Sequence, residues 1–261
     1  MKENLQNQLF YLLFIFSLII SLYFGENSSG GSEIDHIITK SYIDDFNIGF
    51  FHGIKSFIEN GQIQSPIFYY LISILQKIFI PEFLSIIYVF ISSTLPLIFY
   101  KILKIKFNTV NKKYIFFLSL VIFLSPYYRS SSSWITNDNL SLIFFCISIF
   151  YFLKFKQNQI KSNLEIYLCF IFLSLSAYIR QYYGLFFIIY LIELIKIKNK
   201  SLILKCLMLN FFLLIPFLIY MFFFIKYHGE IVRTTNPTGN SFFENIPYVL
   251  SIIFFYFFIF L

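Results

Sequence analysis

Residues 9–24 read LFYLLFIFSLIISLYF, and the polar stretch GGSEIDH follows at residues 30–36. The first run approaches the roughly 20 apolar residues that a helix needs to cross a bilayer. The second places the carboxylates of Glu33 and Asp35 and the imidazole of His36 within four positions. Acidic groups at a membrane surface can serve as a general base or hold a metal ion. A solvated acidic loop is the alternative, and the local sequence does not separate the two.

The whole chain has the composition of a multi-span membrane protein. Of its 261 residues, 58% are hydrophobic, 23% are aromatic and only 13% are charged. Several apolar runs approach spanning length, and they do not alternate in polarity as the strands of an outer-membrane barrel do. The sequence therefore predicts an all-α, polytopic transmembrane helix bundle. The three cysteines lie in or beside apolar runs without paired spacing, which indicates neither a disulfide framework nor a metal site.

The lysines predict the orientation of the bundle. Five lysines lie in residues 101–113, three in 154–161 and four in 196–205, and Lys2 joins them. These connections share one side only if Pro66–Ile80 does not cross the membrane. The positive-inside rule therefore predicts that Pro66–Ile80 is interfacial or re-entrant and that the lysines are cytoplasmic. The net charge of +7 reflects this pattern, and no nucleic-acid partner is expected.

About eight spans follow from this orientation, in a single transmembrane domain over residues 1–261. They are residues 9–24, 83–100, 114–127, 139–153, 164–179, 183–195, 206–225 and 247–261. The outer side then receives ten of the thirteen acids, all three histidines and Trp134. Helical spacing of apolar residues from Asp44 to Asn60 predicts an amphipathic helix lying on the membrane surface in the first outer loop. The run of four serines at 130–133 is expected in an outer loop. The last run ends in an aromatic stretch, so we expect a C-terminal part to be lacking.

Arginine is used sparingly in this chain. Lysine fills the topogenic positions, while Arg129, Arg180 and Arg233 all map to outer loops. The planar guanidinium fork grips phosphate or carboxylate with two parallel hydrogen bonds, so these residues predict an anionic ligand on the outer face. Arg180 is the strongest candidate, because it ends a long apolar run where a cation needs a partner. The alternative is that the arginines pair with acids such as Asp138 and snorkel to the interface.

The order of these parts resembles the GT-C superfamily of integral-membrane glycosyltransferases, which use polyprenyl-phosphate sugars. Four stretches over residues 1–225 carry the resemblance, together with their order and their side of the membrane. They are Glu33-Ile34-Asp35-His36, Ser65-Pro66-Ile67-Phe68-Tyr69-Tyr70, Ser125-Pro126-Tyr127-Tyr128-Arg129 with Thr136-Asn137-Asp138-Asn139-Leu140, and Ala177-Tyr178-Ile179-Arg180-Gln181. A weaker likeness to lipid-linked α-1,2-glucosyltransferases rests on Arg180-Gln181 and Gly229-Glu230-Ile231-Val232.

The resemblance implies sugar transfer from a polyprenyl-phosphate donor to a lipid, glycan or protein acceptor on the outer face of a membrane such as the bacterial plasma membrane. Asp35 or Glu33 would be catalytic; the family's acid pair is here Ser32-Glu33, with Asp35 displaced by two positions. The substrate-binding candidates are His36, Arg129, Asp138, Arg180, Gln181 and Arg233. No cofactor is certain, and a divalent metal at the acidic loop could take part without being required.

Two other functions fit a polytopic chain with outer arginines. A lipid-linked glycan flippase or transporter would place charges along a path through the bundle. Glu193 is the clearest acid inside an apolar run, but it lies near the cytoplasmic end, which weakens that interpretation. A large arginine-rich loop late in the sequence would favour an O-antigen-type polymerase, but no such loop is visible.

Overall fold

The computed structural model describes residues 2–27, 31–62, 64–158, 163–197 and 199–228, and this part of the chain is helical without a strand. The predicted all-α class is confirmed. The α-helices are α1 (Lys2–Tyr23), α2 (Ser32–Ile48), α3 (Phe50–Glu59), α4 (Ile67–Gln76), α5 (Pro81–Lys106), α6 (Lys112–Leu120), α7 (Pro126–Ser133), α8 (Asn137–Gln157), α9 (Leu164–Ile179), α10 (Phe186–Lys196) and α11 (Lys200–His228). Short 3₁₀ helices lie at Val121–Leu124 and Gln181–Leu185.

Four of these helices are long and apolar enough to cross a membrane. The candidate spans are Gln6–Tyr23, Pro81–Lys106, Asn137–Gln157 and Lys200–Tyr227. They coincide with the predicted spans 9–24, 83–100, 139–153 and 206–225. The helix α4 has 10 residues, or about 15 Å, which is too short for a hydrocarbon core of roughly 30 Å and agrees with a non-spanning segment.

Three of the other predicted spans are shorter or broken helices. The span predicted at 164–179 is α9, whose 16 residues rise about 24 Å. At 114–127 the helix α6 passes into a 3₁₀ turn and then breaks, because Ser125 caps a new helix and Pro126 starts it. At 183–195 a 3₁₀ helix precedes α10. The predicted span 247–261 lies outside the described residues.

Small side chains let the central helices approach closely. The helix α8 runs antiparallel to α9, and the Ser176 hydroxyl donates to the Ser141 carbonyl at 2.8 Å. About two helical turns further along, the hydroxyl of Ser148 lies 3.5 Å from Sγ of Cys169. Buried serines at such contacts allow dense packing between membrane helices. Phe145, Phe155 and Phe170, which belong to the same hydrophobic core, are almost completely buried.

The segment predicted to form the first outer loop folds in part as a pair of helices, α2 and α3. The amphipathic helix predicted at 44–60 is divided at Gly49 into the end of α2 and the whole of α3. The stretch GGSEIDH is also not a loop, because α2 begins at Ser32 and takes Glu33 and Asp35 into its first turn. Carboxylates there interact favourably with the positive end of the helix dipole. The pair packs through Phe46 and Phe57, which are almost completely buried.

The two ends of α8 meet different helices. The ends of α8 and α10 meet where Glu193 pairs with Lys156 at 2.7 Å and with Lys196 at 2.5 Å. At the opposite end the start of α8 meets the end of α9. The helix α11 passes this second end, because the Tyr178 hydroxyl bonds the Leu213 carbonyl and α11 continues to His228, about 22 Å further. The helix α11 therefore lies beside the start of α8 and the end of α9.

Candidate functional site

An ion pair joins the start of α8 to the end of α9. Nη2 of Arg180 lies 2.8 Å from Oδ1 and 2.9 Å from Oδ2 of Asp138. The Asp138 side chain is 9% exposed and that of Arg180 is 29% exposed. Arg180 terminates α9 in an extended backbone conformation, which turns its side chain away from the helix axis. The Nε atom of Arg180 is buried and has no hydrogen-bond partner in the described part of the chain.

Tyrosine hydroxyls surround this ion pair. The hydroxyl of Tyr127 lies within electrostatic reach of the Asp138 carboxylate. The hydroxyl of Tyr69 accepts a hydrogen bond from Gln64 Nε2 at 2.8 Å, and burial raises its pKa to about 12. Tyr88 donates to the Thr136 carbonyl just before α8. These hydroxyls remain protonated at neutral pH and can donate hydrogen bonds.

Asp35 lies within electrostatic reach of the same ion pair. Partial burial and the neighbouring Asp138 charge raise the pKa of the Asp35 carboxyl, while Arg180 opposes this shift. The side chain is nevertheless exposed, so a substrate can reach it. A carboxylate with a raised pKa is a stronger base, which is the property that a general base needs.

His36 fixes the position of Asp35. Its ring lies 5.6 Å from that of Trp134, and the backbone of Ile135 is also close to it. Burial lowers the pKa of the His36 imidazole, so the ring is neutral at pH 7. The Nδ1 atom is buried and has no hydrogen-bond partner among the described residues. His36 therefore anchors the first turn of α2 beside the segment that leads into α8.

Glu33 occupies a different face of α2. Two positions along an α-helix differ by about 200°, so Glu33 and Asp35 point in nearly opposite directions. Glu33 is exposed and lies 3.5 Å from the amide of Asn27. The geometry therefore favours Asp35 of the two predicted acids.

Arg129 lies apart from Arg180 and Asp138. It donates through Nε to Oε1 of Glu26 at 2.9 Å and through Nη2 to Oε2 at 2.7 Å. It also donates to the hydroxyls of Ser17 and Ser21. Arg129 thus ties α7 to the C-terminal end of α1. Its nitrogens are engaged by Glu26, Ser17 and Ser21, which does not favour the predicted role in substrate binding.

Gln181 and Tyr178 line an apolar cavity between α9 and α11. This cavity has a volume of about 390 Å³. Tyr178 also lines a second cavity of about 930 Å³, bounded by α3, the start of α4 and the C-terminal half of α11. The walls of the second cavity include Phe50, Ile219 and Phe223. Tyr178, two positions before Arg180 in the sequence, lines both cavities.

The remaining sequence predictions lie beyond these contacts. Arg233 lies outside the described residues. In the described ranges no group of three or more His, Cys, Asp or Glu side chains could hold a metal ion, and no residue is assigned to one. The sequence did not single out Tyr127 or Tyr69 as site residues. With 20 tyrosines in the chain, their residue type alone carried no signal.

Comparisons with protein-family models, with curated proteins and with solved structures return no match.

Proposed function

We propose that the protein is a glycosyltransferase that moves a sugar from a polyprenyl-phosphate donor to an acceptor on the outer face of the membrane. The observation that carries the proposal is the ion pair between Arg180 and Asp138, which joins segments far apart in the sequence. Asp35 lies within electrostatic reach of this pair, and Tyr178 and Gln181, close to Arg180 in the sequence, line apolar cavities. A base, a cation and apolar walls are the three elements that transfer from a lipid phosphate requires.

Asp35 would act on the acceptor. Its carboxylate takes the proton of the acceptor hydroxyl as the hydroxyl oxygen bonds to the anomeric carbon of the sugar. The bond between that carbon and the phosphate oxygen breaks in the same step, and the lipid phosphate leaves with the electron pair. The raised pKa of Asp35 brings its basicity closer to neutral pH, where a general base is most effective.

Arg180 would hold the leaving phosphate. Its Nη2 is paired with Asp138, and its buried Nε has no partner in the described chain. That Nε is closed off from solvent, but the side chain of Arg180 as a whole is 29% exposed, so the guanidinium can meet a phosphate oxygen. A cation in a site of low dielectric also stabilises charge that develops during the reaction more strongly than it would in water.

The cavities supply a place for the lipid. The larger cavity has aromatic and aliphatic walls, with Lys55 and Lys226 among its lining residues. Its volume of about 930 Å³ is in the upper range of small-molecule sites. Tyr178 and Gln181, next to Arg180, line the smaller cavity, so an isoprenoid tail in either cavity could begin near the guanidinium.

The membrane arrangement completes the proposal. Eight spans with cytoplasmic lysines put the Asp35 and Arg180 end of the bundle on the outer side. In that arrangement α9, at about 24 Å, ends below the outer edge of a hydrocarbon core of roughly 30 Å. The site then lies recessed in the outer leaflet, where a membrane-bound donor can enter from the bilayer.

A transfer assay tests this function. Membranes containing the protein are supplied with radiolabelled polyprenyl-phosphate sugars, and label in the acceptor fraction is measured for wild type and Asp35→Asn. The expected loss is about 10²–10⁴-fold, since the variant keeps the shape and removes the base. Asp44→Asn is the matched control, because Asp44 is an exposed acid of the same helix. Equal transfer by wild type and Asp35→Asn would overturn the proposal.

A further inference from the structure

We propose that the larger cavity binds a membrane phospholipid with an anionic head group, whose phosphate is held by Lys226 and Lys55 and whose acyl chain runs toward Tyr178. This lipid is a resident ligand and is not consumed. The inference does not depend on the proposed transfer reaction. It assigns the larger cavity to a lipid other than the polyprenyl-phosphate donor and leaves the smaller cavity for that donor.

The helix α11 forms one wall of the larger cavity and is fastened at both ends of it. At one end the hydroxyl of Tyr178 bonds the carbonyl of Leu213. About 21 Å further along α11, the hydroxyl of Tyr227 donates to Oε1 of Glu59 in α3 at 3.4 Å. Between them, the hydroxyl of Tyr220 donates to a backbone carbonyl in the turn after α3. The cavity of about 930 Å³ is therefore enclosed by packed helices that are tied to each other.

The interior of this cavity is apolar along the helix. The lining residues of α11 extend from Pro216 to Lys226, a rise of about 15 Å along the axis. Ile219 and Phe223 line it from α11 and Ile54 from α3, and both α11 side chains are exposed. The helix α11 also contains one of the four candidate membrane spans. An apolar groove on such a helix is covered by hydrocarbon, so an acyl chain fits it better than water does.

Two lysines lie at one end of the cavity. Nζ of Lys55 is 3.7 Å from Oε1 of Glu59, the same oxygen that Tyr227 contacts, and Tyr227 follows Lys226 in the sequence. Lys226 is exposed, and none of the acids in the described ranges forms an ion pair with it. The side chain of Lys55 is 72% exposed, so its pairing with Glu59 is weak and leaves it available to a second anion. Two cations and one acid give this end a positive charge.

Membrane topology does not explain Lys226. The helix α11 begins at Lys200, in a lysine-rich connection that is predicted to be cytoplasmic, and ends at His228. Lys226 therefore lies at the opposite end of the helix, where the positive-inside rule does not call for lysine. A lysine at the end of a spanning helix can extend its stem to the level of the lipid phosphates. Since Lys226 also lines an apolar cavity, it can meet the head group of a lipid whose chain lies inside.

The polarity of the cavity selects the lipid. A donor with its phosphate at Arg180 would enter at the Tyr178 end and direct its apolar tail toward the two lysines. A phospholipid with its phosphate at the lysines instead places its chain along Ile219 and Phe223. A choline head group would bring a third cation to this end and be repelled. The site therefore favours an anionic phospholipid over a zwitterionic one.

Native mass spectrometry of the protein in detergent tests the role of the head group. Phosphatidylglycerol and phosphatidylcholine with the same acyl chains are titrated, and the fraction of protein with one lipid bound is measured. We expect tighter binding of phosphatidylglycerol. In Lys226→Gln its affinity should fall about 3- to 10-fold, as for one charge-assisted contact at an exposed position. Lys77→Gln is the matched control, because Lys77 is an exposed lysine just after α4 that does not line the cavity.

Brominated acyl chains, which quench a tryptophan that they touch, test the position of the lipid. Phe223→Trp places the reporter in the cavity wall. Phe222→Trp is the control, because the neighbouring Phe222 is 64% exposed and does not line the cavity. Both variants keep Trp134, so the difference between them reports the new side chain. Equimolar brominated phosphatidylglycerol should quench Phe223→Trp and leave Phe222→Trp unchanged.

Polyprenyl phosphate provides the competing arm. Added at the same concentration, it should leave the brominated phospholipid in place in Phe223→Trp. Recovery of the fluorescence would assign the larger cavity to the donor and overturn the inference. Equal binding of the two phospholipids, unchanged phosphatidylglycerol affinity in Lys226→Gln, or equal quenching of the two tryptophan variants would also overturn it. These measurements need no transfer, so absence of transfer in wild type overturns the glycosyltransferase proposal alone.

Discussion

The guanidinium of Arg180 lies 2.8 Å from the carboxylate of Asp138, although the two residues are separated by 42 positions in the sequence. The contact holds the start of α8 against the end of α9. It also gives a cation at the end of an apolar helix the partner that it needs. Two roles are compatible with this pairing: a structural tie alone, or a tie that holds the guanidinium for an anionic ligand. The response of Arg180 to lysine separates them.

Arg180→Lys should insert normally and lose most of the transfer activity. Lysine keeps the positive charge but lacks the planar fork that can bind Asp138 and a phosphate at once. The expected loss in kcat/KM is about 10²-fold, as for removal of one donor to a developing oxyanion, with weaker donor binding. Arg180→Ala should lose more. Donor affinity and turnover of the purified variants provide the measurement.

Wild-type donor affinity and turnover in Arg180→Lys would contradict the phosphate role. An arginine that only snorkels or pairs with Asp138 tolerates lysine, because the charge and the aliphatic stem are retained. In that case Arg233, outside the described residues, would become the next phosphate candidate to test.

Arg129 is expected to behave in the opposite way. Its guanidinium is 24% exposed and is held by Glu26, Ser17 and Ser21. Arg129→Ala leaves Glu26 without its cation, so unfolding should become easier by about 2–4 kcal/mol, below the cost for a fully buried pair. Thermal unfolding in detergent measures this. Donor affinity of the folded fraction should not change, and a variant of normal stability that fails to bind donor would refute the structural role.

Cysteine labelling tests the membrane arrangement. Cysteines placed at Asn108 and Asn158 should label only from the cytoplasm, and one at Asn60 only from outside, because the lysine-rich connections share one side. The native Cys146, Cys169 and Cys206 are buried, so the wild-type chain serves as a low-background control. If Asn60 and Asn108 label from opposite sides while Asn108 and Asn158 also differ, the non-spanning assignment of Pro66–Ile80 is wrong.

The parts of the fold that depend on local composition could be predicted from the sequence. Apolar runs of spanning length gave α1, α5, α8 and α11 within a few residues, because a hydrophobic stretch in one helix is a local property. The run Ser130–Ser133 was expected in a loop, yet it is a buried turn of helix. Ser132 bonds the carbonyl of Tyr128 at 2.7 Å, so its hydroxyl is satisfied within its own helix. The polarity of serine alone does not show that these residues are buried in a helix.

The site depends on contacts that no local pattern contains. Glu26 and Arg129 are 103 residues apart, and only the packing of α1 against α7 brings them together. The sequence marked Arg129 and Arg180 as equivalent rare cations, whereas their partners differ completely. Asp35 and Glu33 could not be ranked either until α2 extended back to Ser32 and placed them on different faces.

Gly53 should be intolerant of a side chain, because a Cβ there would overlap the buried ring of Phe46 where α2 and α3 cross. Gly53→Ala forces Phe46 to move and should destabilise the helix pair by about 1–3 kcal/mol, partly offset by the better helix propensity of alanine. The ring of Tyr42 in α2 packs 5.4 Å from that of Tyr69, so the disturbance should reach the site and reduce transfer.

Gly49→Ala is the matched control between the same two helices. No atom lies within 4 Å of a Cβ added at Gly49, and its φ of 172° is extended backbone that any residue can adopt. We expect its thermal unfolding and transfer activity to remain those of wild type, while Gly53→Ala unfolds several degrees lower. Equal unfolding temperatures for the two variants would show that α2 and α3 do not pack through Phe46 as described. A loss of transfer in Gly53→Ala without a loss of stability would instead assign Phe46 and Gly53 to the positioning of α2, and hence of Asp35.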